Sequence, residues 1–143
     1  MSAVEEMFRV DGRVALVTGA SSGLSSGDAA VVNIASMYGL VASRGATAGY
    51  NASKGAVVQL TRHLAAQWGP RRPRERTRPG YFATELTGQL ADPALRGAIE
   101  RSTLLRRLPR PDELDGALLF LASRASSYVT GSILSVDGGW TAV

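Results

Sequence analysis

Tyr50 and Lys54 stand four residues apart in the stretch YNASKGAVVQL, and Lys54 is the one lysine in a chain of 16 basic residues, the other 15 being arginine. Residues at this spacing share a helix face, so a phenol and an ammonium placed there converge on one point. A neighbouring cation favours phenolate over phenol, which suits a tyrosine to give up or accept a proton near neutrality. Lysine brings a compact charge on a flexible stem, whereas guanidinium is a broad planar fork. The ammonium also has several N–H donors to offer a sugar diol. By itself the spacing is met more often by two amphipathic residues on a helix surface, so the elements around the pair must decide.

Those elements read as strands alternating with helices. RVALVTGASSG (13–23) is an apolar run closed by a glycine-rich turn, the pattern of a buried parallel strand entering a loop, and AVVNIAS (30–36) is a second such run. From Asn51 to Trp68, the residues Val57, Leu60, Leu64 and Trp68 recur at helical spacing and predict the apolar stripe of an amphipathic helix. DPALRGAIERS (92–102) places Asp92 before Pro93, a helix start signal, and RPDELDGALLFLASRAS (110–126) repeats it with Asp112 and Glu113 at the positive end of the helix dipole. SILSVDGG (132–139) is a last strand ending at a glycine turn. The alternation predicts an α/β fold with a parallel sheet, in a single domain over 1–143 with no internal repeat.

Taken together these segments resemble the classical short-chain dehydrogenase/reductase family. LVTGASSGL is similar to its T-G-x-x-x-G-x-G cofactor turn, NIAS to its strand ending in the active-site serine, and YNASK to its Y-x-x-x-K. PGYFAT resembles the P-G segment after its sixth strand, and SSYVTGSILSVDGG its last strand and turn. The resemblance implies a Rossmann-like sheet, NAD or NADP as cofactor, and hydride transfer between the nicotinamide and a secondary alcohol or carbonyl substrate. It makes Ser36, Tyr50 and Lys54 the catalytic residues. Tyr50 would exchange a proton with the substrate oxygen, Lys54 would act on Tyr50 and hold the nicotinamide ribose, and Ser36 would hydrogen-bond the oxygen as charge develops. Thr18, Gly19, Ser21 and Gly23 would cradle the pyrophosphate at a helix N-terminus. Pro79, Gly80 and Thr84, with Tyr50 and Lys54, would line the nicotinamide end.

The sequence also departs from that pattern. Ser25 stands where the third glycine of the cofactor turn is expected, and only 12 residues separate Val17 from Ala30. A parallel crossover takes about a dozen or more residues, usually with a helix. The expectation is therefore a truncated, incomplete domain, lacking the block from the first helix to the fourth strand and its following helix. With that block would go the residue that selects NAD or NADP and the active-site asparagine that the resemblance implies. Asp28 is too close to the turn to serve as the ribose carboxylate, which belongs about 20 residues further on. Ser36 precedes Tyr50 by 14 residues, one more than is common in the family.

Where the family has a buried strand similar to V-R-V-N-A-L-A-P-G, this chain has RPRERTRPG (72–80). Buried unpaired charge is costly and proline cannot join a central ladder. The sequence thus predicts an irregular exposed segment at about 69–80 and a sheet of three strands, 13–17, 30–35 and 132–136. A one-base shift of reading frame converts a GC-rich coding of the family strand into this run, which accounts for its arginines without a ligand. With Arg71 just before it, so over PRRPRERTRP (70–79), the run also carries the net charge of +4, the rest of the chain being neutral.

With no aromatic residue to stack on bases, the run predicts a solvated loop and no nucleic-acid partner. GALLFLA (116–122), the longest apolar run, is far too short to span a bilayer, and MSAVEEMFRV has no apolar leader, so no membrane partner is expected and the localisation is cytoplasmic. The absence of cysteine removes disulfides and thiolate chemistry, and His63 alone makes no metal cluster. Two outcomes stand side by side. One is an NAD(P)-dependent oxidoreductase acting on a small-molecule alcohol or carbonyl as a homo-oligomer. The other is an inactive remnant or oligomerisation partner of the same family, with Leu114, Leu118 and Leu121 on a face left open for association.

Overall fold

Ala30–Asn33 (β2) is buried along its whole length, Val31 being 6% exposed and Val32 1%. Successive side chains of a strand point to opposite faces, so both faces of β2 are covered. The computed structural model describes residues 2–11, 15–18, 30–43, 45, 47–68, 75–79 and 93–143. Around β2 it builds a parallel sheet of four strands, Ala15–Thr18 (β1), β2, Glu75–Pro79 (β3) and Ser132–Val136 (β4), adjacent in that order. The α/β class expected from the sequence is the class that forms. β1 and β2 run level, from Ala15 beside Ala30 to Thr18 beside Asn33.

The strand count corrects the sequence reading, because part of the arginine run is β3. Val31 and Val32 pair with Glu75 and Arg76 on one side, while Arg76 faces Ser132 on the other. A ladder is made by main-chain groups, and arginine and threonine supply these as well as valine does. Proline is accommodated by position: the register slips between Arg76 and Arg78, and Pro79 is the last residue of the strand, beside Val136. Residues 69–74 and 80 lie outside the described residues.

Among the described residues four α-helices accompany the sheet. Ala3–Phe8 (α1), which the sequence reading missed, starts from a capping box in which the Ser2 hydroxyl accepts the Glu5 N–H and the Glu5 carboxylate accepts the Ser2 N–H. Ala48–Trp68 (α2) buries Val58, Thr61 and Ala65. The expected stripe of Val57, Leu60, Leu64 and Trp68 is displaced by one residue from this face, and Leu60 is 47% exposed. Small side chains let the helix come close to the sheet, and larger ones are turned aside. The turn before β4 uses the same closeness: Gly131 has φ +61, and a Cβ on it would lie 3.1 Å from that of Ala65.

Pro93–Ser102 (α3) forms as expected. The helix expected over 110–126 is divided into a 3-10 turn at Pro111–Leu114, Asp115–Ala122 (α4), and a second 3-10 turn at Arg124–Ser126. Two buried serines account for the second break. Ser123 donates to the Phe120 carbonyl, and Ser126 donates to the carbonyls of Leu121 and Ser123, so hydroxyls compete with the helical ladder for its acceptors. Of the face expected to lie open, Leu121 is buried and Leu114 and Leu118 are half-buried, because α4 packs on β2 and β3. Among the described residues no helix is long and apolar enough to cross a membrane.

Ahead of α4, Glu113 is gripped by the Arg107 guanidinium through bonds of 2.6 and 2.7 Å and accepts the Arg110 N–H at 2.7 Å. The Arg107 bonds, followed by the Arg110 N–H, hold the Glu113 pKa down to about 2, against an ordinary 4.5. A carboxylate with a lowered folded-state pKa stabilises the fold above its unfolded pKa, and that contribution is lost as pH falls through the folded value. The melting temperature should therefore fall between about pH 5 and pH 2, with a shallower fall in Glu113→Gln. An unchanged acid profile in Glu113→Gln would mean that this grip does not stabilise the fold.

Candidate active site

The chain leaves β2 through Ile34 and Ala35 and reaches Ser36, which is extended with φ −153° and ψ 156°. Ser36 then caps a 3-10 turn, Met37–Gly39, its hydroxyl oxygen accepting the Tyr38 N–H at 3.3 Å while its carbonyl accepts the Gly39 N–H at 2.9 Å. Met37, 2% exposed, pins the turn into the core. Ser36 is itself buried at 8% exposure.

The first turns of α2 face this segment. Lys54 donates from Nζ to the Ile34 carbonyl at 3.1 Å, and the same Nζ lies 5.8 Å from the centre of the Tyr50 ring, within reach of a cation–π contact. Tyr50 is 43% exposed, so the pair joins a sheltered ammonium to a phenol open to solvent. Thr61, on the same helix face as Lys54, accepts the buried Asn33 amide N–H at 3.0 Å and donates to the Val57 carbonyl at 2.8 Å. Asn51 donates to the Ser43 hydroxyl at 3.3 Å, and the Ser43 and Thr47 hydroxyls share a hydrogen bond, which ties the approach loop to the start of α2.

Tyr50, Lys54 and the strand end carrying Ser36 are thus brought together. Thr18 is the last residue of β1, beside Asn33, and Pro79 is the last residue of β3. Gly19, Ser21, Gly23, Gly80 and Thr84 lie outside the described residues. Sequence reasoning missed the Ile34 carbonyl as the partner of Lys54, the Asn33–Thr61 bond, and Gly39. The heptad spacing from Lys54 to Thr61 was a usable signal, since it is the polar part of the face that also carries Val58 and Ala65.

A family model described as enoyl-(acyl carrier protein) reductase matches residues 7–141. The chain belongs to the short-chain dehydrogenase/reductase family. Within this family it is 48% identical over 121 residues to galactitol 2-dehydrogenase (L-tagatose-forming) of Cereibacter sphaeroides, an alignment covering 82% of this chain and 48% of that protein. It is 46% identical over 114 residues to cyclopentanol dehydrogenase of a Comamonas species, covering 78% of this chain and 45% of that one. Among solved structures, gluconate 5-dehydrogenase from Burkholderia cenocepacia in complex with NADP and tartrate is similar at 39% identity and a TM-score of 0.76, over 80% of this chain and 46% of that chain. This short-chain dehydrogenase/reductase chain spans about half the length of the relatives it matches.

The Asn33–Thr61 bond sits where α2 is fastened to β2. Thr61→Val keeps the shape and removes the acceptor, which should cost about 1–3 kcal/mol of stability. Chemical denaturation of the two proteins checks this, and equal stability would mean that the bond does not hold the helix in place.

Proposed function

We propose that the chain carries the catalytic side of an NAD(P)-dependent oxidoreductase that moves a hydride between NAD or NADP and a secondary alcohol or carbonyl. The observation that supports this most is Lys54, whose ammonium lies between the Tyr50 ring and the Ile34 carbonyl at the strand end that leads to Ser36. An ammonium has three N–H donors, so the bond to Ile34 leaves two for a ribose diol. Ser36 spends an acceptor lone pair on Tyr38 and keeps its O–H for a substrate oxygen. Ligands of open α/β sheets bind at the carboxyl ends of the strands, and β1 and β2 end side by side at Thr18 and Asn33. These residues fit the nicotinamide-ribose end of the cofactor.

Bound NAD(P) would supply the hydride acceptor or donor. Tyr50 passes the proton to or from the substrate oxygen, Ser36 holds that oxygen, and Lys54 holds the ribose close to Tyr50. Thr18, Gly19, Ser21 and Gly23 would hold the pyrophosphate, and Pro79, Gly80 and Thr84 the nicotinamide side, as the family resemblance implies. The substrate class follows from what the relatives' names share: carbon 2 of galactitol, the ring carbon of cyclopentanol and carbon 5 of gluconate are all secondary carbinols. Beyond that carbon the three molecules differ, so similarity at this level supports the reaction and leaves the rest of the substrate open. A small-molecule substrate, a cytoplasmic location, and no nucleic-acid or membrane partner complete the reading, together with a single, incomplete cofactor-binding domain over 1–143. The basic run favours this view, since residues 75–79 belong to the sheet.

Tyr50→Phe keeps the ring and removes the proton, so NAD(P)-dependent turnover of a secondary alcohol should fall by about 10²–10⁴-fold, with Lys54→Ala close behind. Either variant at the wild-type rate would refute the assignment of the pair. Fluorescence titration should give weak binding of both NADH and NADPH with little preference between them. Cofactor binding without turnover would favour the inactive partner protein instead.

We also read the chain as a homo-oligomer, on the half-open stripe of Val57, Leu60, Leu64 and Trp68 that α2 turns away from the sheet. Sedimentation velocity should show mass rising with concentration, and Leu60→Glu should lower it. A wild-type chain that stays monomeric at every concentration would overturn this part.

A further inference from the structure

Gly39 presses on the main chain of Lys54. A Cβ built on Gly39 would lie 2.7 Å from the Lys54 carbonyl oxygen, 2.8 Å from its carbonyl carbon and 3.1 Å from the Gly55 nitrogen. These atoms are the backbone of a 21-residue helix and cannot swing aside as the tip of a side chain can. The requirement is for space and not for an unusual backbone angle, since Gly39 is not among the glycines with positive φ. The opposing glycine is less constrained: a Cβ on Gly55 would lie 3.6 Å from the Gly39 carbonyl oxygen, an ordinary contact.

Lys54 consequently touches the serine segment on both sides of Ser36. Its side chain holds the Ile34 carbonyl at 3.1 Å, two residues before the serine, and its main chain supports Gly39, three residues after it. Between these two supports the path is fixed by the Gly39 N–H on the Ser36 carbonyl, the Tyr38 N–H on the Ser36 hydroxyl, and buried Met37.

We propose that Gly39 is a positioning residue: by lacking a Cβ it seats the 36–39 turn on the Lys54 carbonyl, and this contact, with the Lys54–Ile34 bond, sets where the Ser36 hydroxyl stands relative to Tyr50 and Lys54. Its catalytic consequence rests on the oxidoreductase reading above. Alanine at position 39 must push the turn away from the helix by a good part of an ångström. Misplacement on the order of 1 Å costs about 10²-fold in rate.

The sole lysine makes the contact measurable without cofactor or substrate, because a chain labelled at the lysine ε-carbon and Nζ gives one side-chain signal, that of Lys54. Wild type, Gly39→Ala and Gly55→Ala are compared as full chains. Gly39→Ala should move the Lys54 Nζ signal and lower kcat by about 10–100-fold, with KM for NAD(P) within about threefold of wild type. Gly55→Ala should match wild type in all three. In unmodified protein a strong nuclear Overhauser effect should join a Gly39 α-proton to the Gly55 amide, and this measurement decides the matter where Gly39→Ala does not fold. A missing effect, a wild-type Nζ signal and rate in Gly39→Ala, or equal losses in Gly55→Ala would each overturn the proposal. Absence of turnover in wild type would remove the oxidoreductase reading, while the Nζ signal and the Gly39–Gly55 effect would still decide whether Gly39 seats the serine turn.

Discussion

The distance between α2 and the end of β2 is the constraint on which the candidate site depends. It is short because the helix meets the sheet with Val58, Thr61 and Ala65, and because Gly39 offers no side chain where the serine turn crosses the helix. Only at that distance can the ammonium of Lys54 reach a main-chain carbonyl of the strand extension. The bond works in both directions. It gives a half-buried cation an acceptor that burial would otherwise deny it, and it gives the strand extension a fixed end. A hydrogen bond to a charged group contributes about 1.5–3 kcal/mol, comparable to the neutral Asn33–Thr61 bond and a good packing contact combined.

The same geometry explains why a chain so rich in arginine keeps a lysine here. The Ile34 carbonyl is one acceptor approached along one direction, and the Tyr50 ring lies beside it. A guanidinium in that space would bring five donors in a rigid plane to a place with one protein acceptor, while an ammonium turns about its stem and leaves its remaining donors toward the open side. Elsewhere the planar fork is what is wanted: Arg107 meets both oxygens of Glu113 at 2.6 and 2.7 Å and fixes the chain before α4. The two kinds of cation are divided by the number and direction of the acceptors they face.

What was legible in the sequence was set by local geometry. Tyr50 and Lys54 were found because four residues of helix bring side chains together whatever surrounds them. β1, β2 and β4 were found as apolar runs closed by turns, and α3 by its Asp-Pro start. The errors came where main chain or close packing outweighs the side-chain pattern. β3 is a strand because the ladder asks only for amide groups, the buried face of α2 is displaced by one residue because small residues pack closer than leucines, and the helix expected over 110–126 breaks where buried serines take its carbonyls. Gly39 and the Ile34 carbonyl carry no signal in their own neighbourhoods, since each acquires its role from a helix that arrives later in the chain.

The order of the strands gives the site its one-sided character. In a doubly wound sheet of order 3-2-1-4-5-6, the first strand lies between the second and the fourth, and the reversal of strand order beside it opens the crevice that receives a dinucleotide. Among the described residues the order is β1-β2-β3-β4 with no reversal, and β1 lies directly against the strand that leads to Ser36. The two strands are parallel and level, so Thr18 ends β1 at the edge of the sheet where Asn33 ends β2, and Ala30 starts β2 at the opposite edge. The described sheet contributes no second half to part from the first. On the oxidoreductase reading proposed above, the described residues offer a dinucleotide one end only, the end at which Lys54 is already anchored to the Ile34 carbonyl.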